Sequence, residues 1–250
     1  LFQYVGCELQ QIEIITNRYG GPKWKQFESR LPLKLIDVRN RGKCLIFVFE
    51  GNIFITSTLG MSGYWRVSQK NENLKHDHVC FDFLDNQTKQ LFLFYNDTRR
   101  FGNLDIFMTI EEVKPRLLKI GSSWLSMSPR ERRLRMSLEE FRVICENSSR
   151  QNICRFLMDQ SKTSGIGNYL LSEIIYDAKI DYNKQVGELT EEELERIYNS
   201  ASCIIWNSYQ SQGLSIRDYE TPSGKKGTFE LKIYQKGKRI RGPHGRSLFI

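Results

Sequence analysis

Two periods divide the chain. In the first half, short apolar runs follow the spacing of strands: from His78 to Leu84, Val79, Phe81 and Phe83 fall on alternate positions, as on a sheet with one buried face. Cys44 to Phe49 and Ile53 to Thr58 flank Glu50-Gly51-Asn52, which reads as a hairpin turn, and Leu91 to Tyr95 and Leu104 to Met108 extend the series. Closely spaced strands with turn signals predict a β-sandwich or barrel. After about residue 110, Glu111, Glu112 and the basic segment 129–135 read as a polar link. From there the spacing is helical, over Ser137 to Cys145, Gln151 to Met158 and Ile166 to Ala178. Thr190 and Glu193 form a capping box ahead of a long helix carrying Ile197, Ala201, Ile204 and Ile205, with Gly213 as its stop. The tail from Thr228 returns to a strand pattern around Lys236-Gly237-Lys238, which predicts a hairpin. There is no internal repeat.

Composition narrows the class. A chain of 250 residues with 40% hydrophobic content can bury a proper core. No run approaches the roughly eighteen apolar residues of a membrane span, and no basic start with an apolar centre marks a signal peptide, so a soluble globular protein without a membrane partner is expected. Six cysteines lie scattered in apolar surroundings with no CxxC pair, which predicts reduced core thiols in a cytosolic or nuclear compartment and no disulfide framework. A formal charge of +8 and a pI near 9.2 favour a polyanionic partner, nucleic acid above all.

Against that charge, the stretch from Met158 to Tyr169 stands out. A helical pattern stops there, crosses Gly165-Ile166-Gly167 and restarts. Glycines at 165 and 167 permit left-handed angles and close approach, the next helix offers its positive dipole end, and Asn168 adds a side-chain donor. On the turn alone, a phosphate cradle and an ordinary glycine-capped connection are equally good readings. Arg41 and Lys43 stand at a strand entry, suited to phosphates but also to plain solvated charge. Met61 rides on the glycine-flanked tip Leu59-Gly60-Met61-Ser62-Gly63, as a wedge between bases or as a core filler. Arg99 and Phe101, two positions apart, can together fill the hole left by an extruded nucleotide, the guanidinium bonding the widowed base and the ring wedging beside it.

In this order, Arg41-Gly42-Lys43, Leu59 to Gly63, Asp97-Thr98-Arg99-Arg100-Phe101-Gly102, the 158–169 turn and Gly245-Arg246-Ser247 resemble the blocks of the formamidopyrimidine-DNA glycosylase and endonuclease VIII family. The resemblance implies an α+β fold with an antiparallel β-sandwich over 1–115 whose first helix is missing, a helix-two-turns-helix domain over 116–222 and a C-terminal hairpin finger over 223–250. It implies that Met61, Arg99 and Phe101 form the void-filling trio, that Lys43 assists catalysis and binds DNA, and that His76, Gly165, Gly167, Asn168 and Arg246 contact DNA. A loop histidine such as His76 is more often merely solvated. Lys162 is displaced by one position from a family lysine, where this chain has Ser161, and Glu173 is expected to satisfy backbone donors at the glycine turn.

Two departures bear on chemistry. After Cys203 there is no cysteine, and His244 is the only histidine of the tail, so the match is to the zincless-finger members, and neither metal nor other cofactor is expected. Family members attack the sugar with the secondary amine of an N-terminal proline followed by glutamate, whereas this sequence opens on Leu1-Phe2-Gln3-Tyr4-Val5-Gly6, which is similar to the end of the family's first helix. The expectation is an N-terminally truncated copy with proline and glutamate upstream of Leu1. The implied function is base excision repair by a bifunctional glycosylase and AP lyase that extrudes oxidised purines from damaged double-stranded DNA, as an intracellular and possibly viral monomer. An oxidised-pyrimidine glycosylase of endonuclease VIII type and a non-catalytic damaged-DNA-binding module are the alternatives. The segment 213–229 is similar to the purine branch, whereas Leu31 to Leu35 and the zincless tail are similar to endonuclease VIII proteins of large DNA viruses.

Overall fold

A computed structural model describes residues 1–125, 135–213 and 227–234, together with the backbone of Ile240–Arg241 and Ser247–Leu248. These residues form two compact units, one built on Leu1–Leu118 and the other on residues from Lys119 onward.

The first unit contains β1 (Glu8–Ile14), α1 (Pro22–Glu28), β2 (Leu33–Arg41), β3 (Cys44–Phe49), β4 (Ile53–Thr58), β5 (Gly63–Ser68), β6 (Asp77–Leu84), β7 (Gln90–Asp97), β8 (Asn103–Phe107) and α2 (Ile110–Leu118). The eight strands make one antiparallel sheet in the order β5-β7-β6-β1-β2-β3-β4-β8. β1 and β2 pair only through Glu8↔Lys34 and Leu9↔Leu33, and at this thin seam the sheet folds over on itself. Trp65 of β5 thus meets Phe47 of β3 with ring centroids 5.1 Å apart, and its indole N–H donates to Ser57 Oγ of β4 at 3.1 Å. Phe81 of β6 packs against both rings, so the alternation of Val79, Phe81 and Phe83 feeds a sandwich core of fully buried side chains. Each such ring contributes about 1.5–3 kcal/mol by leaving water.

Two elements depart from the sequence reading. α1 was not expected; proline in its first turn and the burial of Trp24 and Phe27, three residues apart, suffice to hold a short helix. Glu111 and Glu112 do not belong to a polar link. They form the acidic first turn of α2, which favours its dipole, and Val113 anchors the helix in the core.

The second unit has β9 (Ser122–Ser123), α3 (Leu138–Glu146), α4 (Ile153–Met158), β10 (Thr163–Ser164), α5 (Asn168–Asp177) and α6 (Glu191–Gln210). Trp124, Phe141, Phe156 and Ile197 are its buried centre. Its helix starts are chemically marked: Ser137 Oγ accepts the Glu140 N–H, and Asn152 Oδ1 accepts those of Cys154 and Arg155. At α6 the expected capping box is present, with Thr190 Oγ1 accepting from the Glu193 N–H at 3.2 Å and the Glu193 carboxylate accepting from the Thr190 N–H at 2.9 Å. In the tail, β11 (Ile240–Arg241) pairs antiparallel with β12 (Ser247–Leu248), bracketing 242–246. The turn expected at Lys236 to Lys238 lies outside the described residues.

All six cysteines are free. Burial pushes the thiols of Cys80 and Cys145 up to about 12, which keeps them protonated, while Cys203 is exposed on α6 rather than in the core. No helix among the described residues is long and apolar enough to cross a membrane.

The Thr190 cap gives a direct test of helix-end energetics. Thr190→Ala should lower the unfolding free energy by about 1 kcal/mol, read as a shifted urea midpoint with unchanged slope.

Candidate nucleic-acid interface

Strand register gathers the sequence-marked residues of the first unit at one end of the sheet. The pairs Arg41↔Cys44, Cys44↔Thr58 and Thr58↔Asn103 align the ends of β2, β3, β4 and β8, while Gly63↔Asp97 and Asp77↔Asn96 align those of β5, β7 and β6. The Gly42-Lys43 turn, the Leu59–Gly63 loop, His76 and the Thr98–Gly102 loop all leave from this end.

Asp97 fixes the geometry there. Its fully buried carboxylate accepts hydrogen bonds from Ser62 Oγ at 2.6 Å, the Arg99 N–H at 3.2 Å and the Gly102 N–H at 2.8 Å. Ser62 Oγ in turn accepts from the Arg99 N–H at 2.9 Å, which ties the two loops together. Burial alone would raise the carboxyl pKa, but the Ser62 hydroxyl and the amides of Gly102, Arg100 and Arg99 outweigh it and hold the pKa below the usual aspartate value. Gly60, at φ 62, presses on the Phe101 backbone, where a Cβ would lie 2.9 Å from its carbonyl carbon, and a side chain at Gly102 would collide with the Tyr95 hydroxyl. With their loops locked, Met61 and Phe101 stay 67% and 61% exposed. The exposed Arg99 places Nη1 3.8 Å from Met61 Sδ, so these two candidates touch.

The loop before β6 is clamped from beneath. Asp77 accepts the Leu74 N–H at 2.8 Å, Asn96 Nδ2 donates to the Lys75 carbonyl at 2.9 Å, and the Asp97 N–H donates to the His76 carbonyl at 3.1 Å. These bonds hold His76 at φ 72, half-buried, a left-handed backbone that a non-glycine residue adopts only when its surroundings impose it. Arg66 neutralises Asp77 at 2.6 Å. Buried His78 supports the same end: Asp97's carbonyl can only accept, so the Nε2 at 2.8 Å donates to it and Nδ1 accepts from Thr16 Oγ1.

Lys43 stands at the tip of the β2–β3 hairpin, where Gly42 takes φ 54. The side chain reaches solvent, yet protein packed around the ammonium removes water from it and lowers its pKa from the ordinary lysine value.

In the second unit the glycine turn is built by Gln160, which the sequence did not single out. Its Oε1 accepts the Gly165 N–H at 3.0 Å, and its Nε2 donates to the carbonyls of Met158 and Ile166. Gly165 has φ 109 and needs to be glycine, but its N–H is already engaged; Gly167 has an ordinary extended backbone as the N-cap of α5, and no left-handed angle. No side chain caps α5, and Asn168 at its start is exposed. Behind the turn, the Gly121 N–H donates to the Gln160 carbonyl, and a Cβ at Gly121 would strike the Lys162 carbonyl.

Glu173 does satisfy backbone donors, but not those at the glycines. Its buried carboxylate accepts from the N–H groups of Lys232 at 2.9 Å, Ile233 at 2.9 Å and Tyr234 at 3.1 Å, so it anchors the entry to the C-terminal segment on α5. Tyr234 then packs edge-on against Tyr169, centroids 4.6 Å apart. Glu173 lies on the buried face with Leu171 and Ile174, and a carboxylate in such a stripe is the signal for a backbone anchor. Arg246 lies outside the described residues.

Asp97→Asn should unlock the rim. An amide sets N–H against donors that need an acceptor, so the loss at pH 7 should be about 1–3 kcal/mol. Because the folded pKa is depressed, the stabilisation is complete above the unfolded value of 3.8 and disappears as pH falls through the lower folded value. In urea titrations the gap between wild type and variant should therefore be constant near neutrality and close below about pH 4.

The formamidopyrimidine-DNA glycosylase N-terminal domain matches residues 3–104, and the H2TH domain of the same enzymes matches residues 128–220. The formamidopyrimidine-DNA glycosylase of Listeria monocytogenes is 31% identical over 202 residues, which is 80% of this chain and 70% of the relative. That of Lactococcus lactis is 30% identical over 235 residues, covering 93% of this chain and 82% of the relative. Among solved structures, the Lactococcus lactis Fpg bound to DNA with an abasic site superposes with a TM-score of 0.76 at 25% identity, covering 90% of this chain and 79% of that one. MutM bound to DNA carrying carbocyclic 8-oxo-G gives a TM-score of 0.75 at 26% identity, with 89% and 79% covered. With both domain models in sequence order and relatives matched along most of their length, the chain belongs to the formamidopyrimidine-DNA glycosylase family.

Proposed function

We propose that this protein is a base-excision-repair DNA glycosylase that extrudes and removes oxidised purines, of the formamidopyrimidine and 8-oxoguanine kind, from double-stranded DNA. The observation that carries the reading is the rim on which Asp97 holds Met61 in contact with Arg99 beside an exposed Phe101. An apolar wedge, a bidentate donor and an aromatic ring match what a duplex needs when one nucleotide leaves the stack: the ring and thioether replace stacking, and the guanidinium replaces the lost pairing partner. Lys43 and His76 leave from the same end of the sheet and contact phosphates flanking the lesion. Gly165, Gly167 and Asn168 present α5 to the backbone, and Arg246 enters the DNA from the zincless finger.

The organisation that fits is a sandwich catalytic domain over 1–115, a helix-two-turns-helix domain over 116–222 and a finger over 223–250, acting as a monomer inside the cell, in cytoplasm, nucleus or a virus-infected cell. The removal step belongs to a secondary amine at the N-terminus of the family's first helix, which attacks the sugar carbon, expels the base and leaves a Schiff base whose elimination nicks the strand. A lysine with an ordinary pKa near 10.4 is a poor substitute at neutral pH. Lys43, shifted downward by desolvation, is the assisting cation.

Two experiments test this reading. Phe101→Ala should weaken binding to a duplex with an abasic site by about 1–3 kcal/mol, from the loss of stacking, and leave binding to undamaged duplex nearly unchanged; equal losses on both would remove the wedge. Separately, the polypeptide Leu1–Ile250 should bind abasic duplex but yield little borohydride-trapped adduct, and adding an N-terminal helix that begins with proline and glutamate should produce trapping and cleavage. Efficient trapping by Leu1–Ile250 alone would assign the chemistry to another amine. If the extended protein binds without trapping, it is a binding module. Faster excision of an oxidised pyrimidine than of 8-oxoguanine would make it an endonuclease VIII.

A further inference from the structure

On the second unit, an open trough of about 820 Å³ is lined by Ser148, Arg150, Gln151, Arg155, Lys162 and Asn183 among others, and no carboxylate or apolar side chain belongs to its wall. We propose that this trough binds the sugar-phosphate backbone of a nucleic-acid strand, as a contact separate from the lesion rim and continuous with the turn before α5. The proposal rests on the reading of the protein as a DNA enzyme and adds where a further stretch of strand is held.

The wall is built so that the Asn152 amide is occupied and the two arginines are not. Asn152 spends its oxygen on the Cys154 and Arg155 N–H groups and its nitrogen on the Tyr182 carbonyl, which fixes the floor. Arg150 and Arg155 are exposed and make no ion pair among the described residues. Lys162 lies near the Asp159 carboxylate, which is already bound by Ser161. Ser148 is 7% exposed, and its Oγ has no hydrogen-bond partner, an arrangement that leaves a buried hydroxyl short of an acceptor. Small-molecule sites are mostly apolar and enclosed. An open, all-polar trough with a surplus of guanidinium groups fits an extended polyanion, since phosphodiester oxygens take arginine forks and hydroxyl donors without regard to base sequence. Continuity supports a strand: α4 bears Arg155 and runs into the turn that carries Lys162 and Gly165.

The test is fluorescence anisotropy of duplexes, damaged and undamaged, against salt concentration. Arg150→Ala with Arg155→Ala should reduce the magnitude of the log–log salt slope by about two on both duplexes and leave the ratio of their affinities unchanged, because each cation releases about 0.9 counterion. Arg150→Lys with Arg155→Lys, which retains the charges, should restore the slope. Lys43→Ala is run beside them as an independent probe of the lesion rim. If Lys43→Ala lowers the slope by about one and the double alanine variant does not change it, the trough is not a strand site although the functional reading stands. If the wild type fails to bind either duplex, both fall. Loss of tripolyphosphate binding in the double alanine variant, with an unaltered duplex slope, would make the trough a receptor for a free polyanion and overturn the strand assignment.

Discussion

The rim of the first unit depends on one buried carboxylate. Asp97 ends a strand whose residues Leu91 to Tyr95 are apolar or aromatic, and its oxygens collect a serine hydroxyl from one loop and backbone amides from another. An unpaired charge in such a place would be strongly destabilising, whereas a carboxylate that accepts several N–H and O–H donors is a stable centre. Both loops gain a fixed shape from it, and neither has secondary structure of its own to supply one. Exposure of Met61 and Phe101 follows, because loops held by their backbones need no apolar side chains to pack inward.

Glu173 repeats the device in the second unit, where it gathers consecutive amides of 232–234 instead of amides from a loop beside it. In each unit an acidic side chain in an apolar stretch does what a strand or helix cannot, which is to fix irregular backbone at a chosen place. Histidine and glutamine supplement it with the same logic, His78 under the Asp97 carbonyl and Gln160 under the Gly165 amide.

Much of the fold was legible because it rests on local period. Alternation from Val79 to Phe83, the turn at Glu50-Gly51-Asn52 and the Thr190–Glu193 box are written in neighbouring residues, and the structure has each of them. α1 and α2 were not legible, since Trp24 with Phe27, and Val113 alone, give too few apolar anchors to show a helical repeat. In the site, residue type together with the family resemblance drew attention to Met61, Arg99 and Phe101. Asp97, Ser62 and Gln160 lay in the quoted blocks without a role, because their roles lie in hydrogen bonds to backbone groups, which no spacing of side-chain types reveals. Glu173 was noticed for the right chemistry and given the wrong partners: its helical spacing pointed toward the glycines, but the donors come from a segment about sixty residues further on.

Gln160 spends both amide hydrogens and its oxygen inside the turn it spans. The turn is therefore closed by the protein's own groups, and its backbone needs no phosphate against α5 to hold its shape. A strand that docks there need not order the loop first, so little of the association free energy is lost to conformational entropy. A glutamate of the same length would lack both donors and leave the Met158 and Ile166 carbonyls without them. A strand held there would be bound by electrostatics, which ions in solution can loosen, with no slow folding of a loop to add.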